Sequence, residues 1–127
     1  MAAPKWTTNA GGNVVASQSL AAGANTTAVV DFSAVMRGRL QVQATGGTTV
    51  SASAGLQVQI RSHWPSVSGN PLDTTPMFTY VLPISVNTLD SFSFYLDSAI
   101  YALILVNNDA TNPITVMVTS DTLSWPT

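Results

Sequence analysis

The chain contains no cysteine and no glutamate, and among its 127 residues only four are lysine or arginine, six aspartate and one histidine. Each scarcity removes a class of function. Without cysteine there is no disulfide framework and no thiolate metal site. Charged residues make up 8%, against roughly 25% in an average soluble domain. No Lys/Arg cluster exists to neutralise phosphates, so nucleic acid is not an expected partner. The longest apolar run, Ala99 to Val106, falls far short of the ~20 residues of a membrane-spanning helix, and no membrane partner is expected. The opening "MAAPKWTTNAGG" lacks the apolar centre of a secretion signal, which predicts an unexported product.

Hydrophobic residues reach 46%, an ordinary globular share, so one core and one domain are expected. What is unusual is the polar half, which consists of Ser, Thr, Asn and Gln. A formal charge of −2 with a pI near 4.7 gives weak mutual repulsion, and a chain with such a surface is expected to associate with copies of itself.

Apolar residues recur at every second position and nowhere at helical spacing. Leu-Gln-Val-Gln occurs twice, at Leu40 to Gln43 and Leu56 to Gln59. In each copy the aliphatic residues face one way and the glutamines the other, as on a half-buried strand. The flanks of the two copies differ, which makes them two similar strands and not an internal repeat. Val14 to Leu20, Thr26 to Phe32, Met77 to Leu82, Ser91 to Leu96, Tyr101 to Asn107 and Ile114 to Ser120 complete about eight strands, divided by Gly- and Asn-rich turns. The fold class expected is all-β: a single antiparallel β-sandwich, jelly-roll-like, over residues 14–127, with residues 1–13 as an extended N-terminal arm. "YALILV", apolar on both faces, is expected to be a central strand or to lie against a neighbouring subunit.

Chemistry-bearing residues are sparse. His63 stands beside Trp64-Pro65 in a turn-rich segment, no "GxSxG" surrounds any serine, and no HExxH or DxDxDG spacing occurs. No enzyme, cofactor or metal site is expected. Asp31, Asp73, Asp90, Asp97, Asp109 and Asp121 fall at strand ends and loops, where a short carboxylate closes a turn on its own backbone. The tryptophans allow two readings. Trp6 and Trp125, near the chain ends, suit subunit contact or capping of the sandwich. Trp64, with His63, Asn70 and Asp73, suits a ligand loop of the kind that stacks on sugar rings.

The segment "SQSLAAGANTTAVVDFSAVMRGRLQVQATGG", then "GLQVQIR", and later "SFSFYLDSAIYALILVNNDATNPITVMVTS" resembles the small β-sandwich virion proteins of tailed bacteriophages over Ser17 to Ser120. The resemblance implies a capsid decoration (cement) protein, made in the host cytoplasm and placed on the capsid exterior, with the major capsid protein as partner. It supplies no catalytic residues. A non-enzymatic homo-oligomer, with a trimer favoured, is therefore expected to clamp adjacent capsid subunits through the arm and exposed strand edges. Lys5, Trp6, Gln41, Gln43, Gln57, Gln59 and Trp125 are the expected contact residues, since neutral amides meet a partner with little desolvation penalty. The alternative is a receptor- or glycan-binding head-fibre or tail module using loops 62–76 and 107–113.

Overall fold

The computed structural model describes residues 3–9, 12–47, 54–63 and 75–125. Nine strands carry the chain through them: β1 (Lys5–Thr8), β2 (Val15–Leu20), β3 (Asn25–Asp31), β4 (Arg37–Gly46), β5 (Leu56–Ser62), β6 (Phe78–Leu82), β7 (Leu89–Asp97), β8 (Ile100–Asn107) and β9 (Ile114–Ser124). Among the described residues there is no helix.

The strands form two antiparallel sheets. Sheet I runs β2-β9-β4-β7, with β1 also on β9, and sheet II runs β3-β8-β5-β6. The pairs β2·β9, β3·β8, β4·β7 and β5·β6 nest inside one another. The chain from β2 to β9 is thus one long hairpin, rolled so that β4 meets β9 and β5 meets β8. That is the jelly-roll arrangement, and the fold class is the one expected.

Alternation explains which face is buried. Leu40, Val42 and Ala44 of β4 and Leu56, Val58 and Ile60 of β5 point into the core with no exposed surface. The two copies of Leu-Gln-Val-Gln therefore stand in opposite sheets, leucine and valine facing inward from both. Each large side chain so buried contributes on the order of 2 kcal/mol. "YALILV" is the middle of β8, between β3 and β5; Tyr101, Leu103 and Leu105 face the core, while Ile104 and Val106 face outward and are half-buried. Phe92 and Phe94, the inward residues of the expected strand Ser91 to Leu96, are only partly buried. They stand on β7 at an edge of sheet I, stacked with Phe78 and Tyr80 of β6 at 4.4–6.0 Å between ring centres.

Within the expected arm, residues 5–8 form β1 and lie down on their own molecule. Lys5 to Thr8 pair with Ser124 to Asp121 of β9. The reason is the length of β9: its eleven residues outrun β2, which occupies only 114–118, and the remaining backbone groups take β1 as partner. The expected strand Ile114 to Ser120 is longer by four residues for the same reason. Pairing on this flank of β9 lapses between Thr8 and Val15, opposite Thr119 and Ser120. There Asn9 turns through a positive φ of 46° and its N–H donates to the Ser120 carbonyl at 2.7 Å.

Candidate binding face

The register of sheet I fixes a row of outward side chains. On β4 these are Arg37, Arg39, Gln41, Gln43 and Thr45, the residues alternate to the buried set. Their neighbours on β9 are Leu123, Asp121, Thr119, Met117 and Thr115, and on β7 Asp97, Tyr95, Ser93, Ser91 and Leu89. Most of this face is uncharged amide and hydroxyl. Its charges gather at the end where β1 crosses.

At that end the side chains interlock. The Arg39 Nη2 donates to Asp121 Oδ2, and Asp121 Oδ1 accepts the backbone N–H of Asn9 at 3.2 Å. The hydrogen bond to Asp121, with Tyr95 next, raises the Arg39 guanidinium above its ordinary value. The same guanidinium lies 5.3 Å from the Trp6 ring, and Arg37 lies 5.1 Å from the Tyr95 ring. Trp6 and Tyr95 stand 6.0 Å apart, tilted by 58°, and each keeps a large exposed area, 39% and 51%. Next to the Arg39–Asp121 pair, on the Gln41 side, runs a trough of about 300 Å³, lined by Thr8, Arg39, Gln41, Ser93, Thr119 and Asp121. The lapse in pairing beside Thr8 leaves it open on the β9 side.

The expected contact residues divide between two surfaces. Trp6, Gln41 and Gln43 share the outward face of sheet I, where Gln43 Nε2 donates to Gln41 Oε1 at 3.0 Å. Gln57 and Gln59 project from the opposite side of the molecule, on sheet II, next to Val106 and Ile104 of β8 and Val81 and Thr79 of β6. Four glutamines that look equivalent in the sequence cannot meet one flat partner together. Lys5 is exposed on β1, and Trp125 is exposed beside a cup formed by Val35, Met36 and Ser98.

Of the expected ligand loop, Trp64, Asn70 and Asp73 lie outside the described residues. His63 follows the last residue of β5 and donates its backbone N–H to the Ile100 carbonyl at 3.1 Å. The second expected loop, 107–113, is consumed by its own hydrogen bonds. Asn107, fully buried, donates from Nδ2 to the carbonyls of Leu20, Ala21 and Asn112, and accepts the Asp109 N–H on Oδ1. Asp109 Oδ1 in turn accepts the N–H groups of Thr111 and Asn112, both at 2.8 Å. Asp31 and Asp90 close turns in the same manner on Ser33 and Ser85. Asp121 is different, because its carboxylate meets a side chain from another strand. Among the described residues no three His or Asp side chains cluster as a metal site.

Arg39, Tyr95 and Asp121 were not singled out as contact residues from the sequence. Their signal was available only through register: each is an outward residue at the same level of three adjacent strands.

No family model and no curated protein matches this sequence. Solved structures share its fold. One is a CBM4 domain, with a TM-score of 0.51 and 10% identity over 91% of this chain and 86% of that one. Another is a subunit of the disulfide-linked pili of Bacillus endospore appendages, with a TM-score of 0.50 and 13% identity over 98% of this chain and 93% of that one. A family 16 carbohydrate-binding module aligns with a TM-score of 0.47 and 13% identity over 93% and 90% of the two chains. At such identities the likeness to the CBM4 domain and the pilus subunit is one of fold alone, that of a β-sandwich.

Proposed function

We propose that this chain is a non-enzymatic structural protein of a tailed-phage virion, a decoration protein that seats on the capsid exterior and on copies of itself. The observation that carries the reading is the outward side of sheet II with its β6 edge. Val29 on β3 and Val81 on β6 stand at the two edges of this sheet, 58% and 44% exposed, with half-buried Ile104 and Val106 of β8 between them. Met77, Phe78 and Tyr80 continue the apolar surface around the β6 edge. A run of exposed apolar side chains on a nearly uncharged protein marks a surface that another protein covers. Gln57, Gln59, Thr27 and Thr79 on the same face offer neutral hydrogen bonds, which a partner meets without the cost of desolvating charges.

The resemblance of the strand pattern to tailed-phage virion proteins supports the partner, the major capsid protein, and the trimer. β1 remains usable in such an assembly along its outer edge, since β9 is its only strand partner among the described residues, and an unpaired edge accepts an added strand.

The test is a binding assay on heads of the encoding phage that lack the protein. Val29→Asp and Val81→Asp place a charge on exposed positions and leave the core intact. Each is expected to weaken head binding at least tenfold, ~1.4 kcal/mol, and to shift the free protein toward monomer in sedimentation velocity. Undiminished occupancy of heads by both variants would overturn the reading.

A further inference from the structure

We propose that the trough on sheet I is a binding site for neutral carbohydrate, a role separate from assembly through sheet II. The ligand class follows from the chemistry around the opening. Trp6 and Tyr95 stand beside the Arg39 end of the trough, outside its lining; each has a guanidinium over its ring and keeps exposed area that the C–H face of a sugar can cover. Arg39 and Asp121 set donors and acceptors side by side. A guanidinium carries five N–H donors and an ionised carboxylate about four acceptor sites, so the pair retains capacity for adjacent hydroxyls, which both donate and accept. Gln41, Thr8, Ser93 and Thr119 add neutral polar groups around them. The volume of about 300 Å³ is at the small end of ligand sites and suits a short stretch of glycan.

Other ligand classes fit less well. A phosphate or nucleic acid needs uncompensated positive charge, but Asp121 occupies Arg39, and Asp97 is the cross-strand neighbour of Arg37. A lipid or other apolar ligand would strip water from the polar groups of Asp121, Arg39 and Gln41 and offer nothing to the hydrogen-bonding capacity they still hold. Two features make the trough preorganised: Asp121 is held by the Asn9 N–H as well as by Arg39, and the Trp6 ring is held by contacts with Arg39 and Tyr95. Rigid polar groups lose little freedom when a ligand arrives.

The geometry points to binding and not hydrolysis. The other carboxylate of this face, Asp97, stands two strands away from Asp121 and one level along. Sheet spacings put the two backbone positions ~12 Å apart, and Asp121 is tied to Arg39 and the Asn9 N–H, so the two are not set out as the facing acid and base of a glycosidase.

The experiment uses the whole chain with immobilised and soluble oligosaccharides: β-glucan, α-glucan and mannan fragments as neutral probes, and oligogalacturonate as the charged control. Titration is followed by tryptophan fluorescence and calorimetry at two salt concentrations. A neutral oligosaccharide is expected to bind saturably with little dependence on salt. Tyr95→Ala and Asp121→Asn are each expected to weaken that binding tenfold or more, while urea denaturation shows both variants folded and both still occupy phage heads. Should Tyr95→Ala fail to fold, Gln41→Ala takes its place. Absence of binding to every neutral probe, binding confined to oligogalacturonate, or binding untouched by the variants would overturn the proposal. None of these results bears on sheet II, whose own test is head occupancy.

Discussion

Asn107→Asp is a severe change made without altering shape. The native side chain is fully buried at the end of β8, and its amide nitrogen donates to the carbonyls of Leu20, Ala21 and Asn112 at 2.9–3.2 Å. It therefore ties the β2–β3 turn and the β8–β9 turn to one point. A carboxylate in its place has no donor for those three oxygens and adds a buried negative charge facing them. Each deprived buried group costs roughly 1–3 kcal/mol. One of the three bonds is fully buried and two are partly so, which gives a loss of about 3–5 kcal/mol at pH 7. The protonated acid, by contrast, can still donate one bond. Both burial and that bond favour the neutral form, so the folded-state pKa of the new carboxyl rises above the ~3.9 of an unfolded aspartate. A group raised in this way contributes its stability in full below the unfolded pKa and loses it as pH climbs through the folded one. Urea denaturation of variant and native protein from pH 4 to pH 7.5 is the assay. The deficit is expected to be largest at neutral pH and to shrink on acidification. A deficit under 1 kcal/mol at pH 7, or one that does not change with pH, would refute the assignment of Asn107 as the buried tie.

Three further outcomes are expected. Gly38 has no room for a side chain, since an added Cβ would fall within the ring of Phe32; Gly38→Ala is expected to lose about 1–3 kcal/mol or more. Phe32→Leu should relieve part of that loss, so a double-mutant cycle must show coupling and not addition. The Ser33 hydroxyl, then the Ser33 backbone N–H, lower the pKa of Asp31, and Ser33→Ala should move its NMR titration midpoint upward. The native Asp31 contribution to stability is present above the unfolded carboxyl pKa and is lost as pH falls through the depressed folded value; the variant should show less of that acid sensitivity.

Most of the sandwich was legible in the sequence because a half-buried strand announces itself by alternation. Leu40 to Ala44 and Leu56 to Ile60 could be assigned inward and outward faces residue by residue. Alternation says nothing about which sheet a strand joins, so the four glutamines of the two tetrapeptides looked like one surface when they are two. β1 escaped for a different reason: "KWTT" is exposed at every position, carries no apolar side toward the core, and is held by the surplus length of β9. The trough was illegible because Thr8, Arg39, Ser93 and Asp121 are brought together only by register across four strands. Asp121 had every mark of a turn aspartate except its setting within a long strand, and the strand was expected to stop one residue earlier.

The place of β9 also governs when this protein can fold. It is the last strand, yet it is interior to sheet I, with β4 along one side and β1 and β2 along the other. A nascent chain that has emerged as far as β8 holds β2 without its partner and β4 with one flank bare. Sheet I is then a set of open edges, the condition in which β proteins pair with the wrong neighbour. Sheet I must wait for β9 and close around it after β8 has been made, and long-range closure of that kind is intrinsically slow. A ribosome pause inside β9 would prolong the sticky interval, because β2 and one flank of β4 find their partner only in that strand.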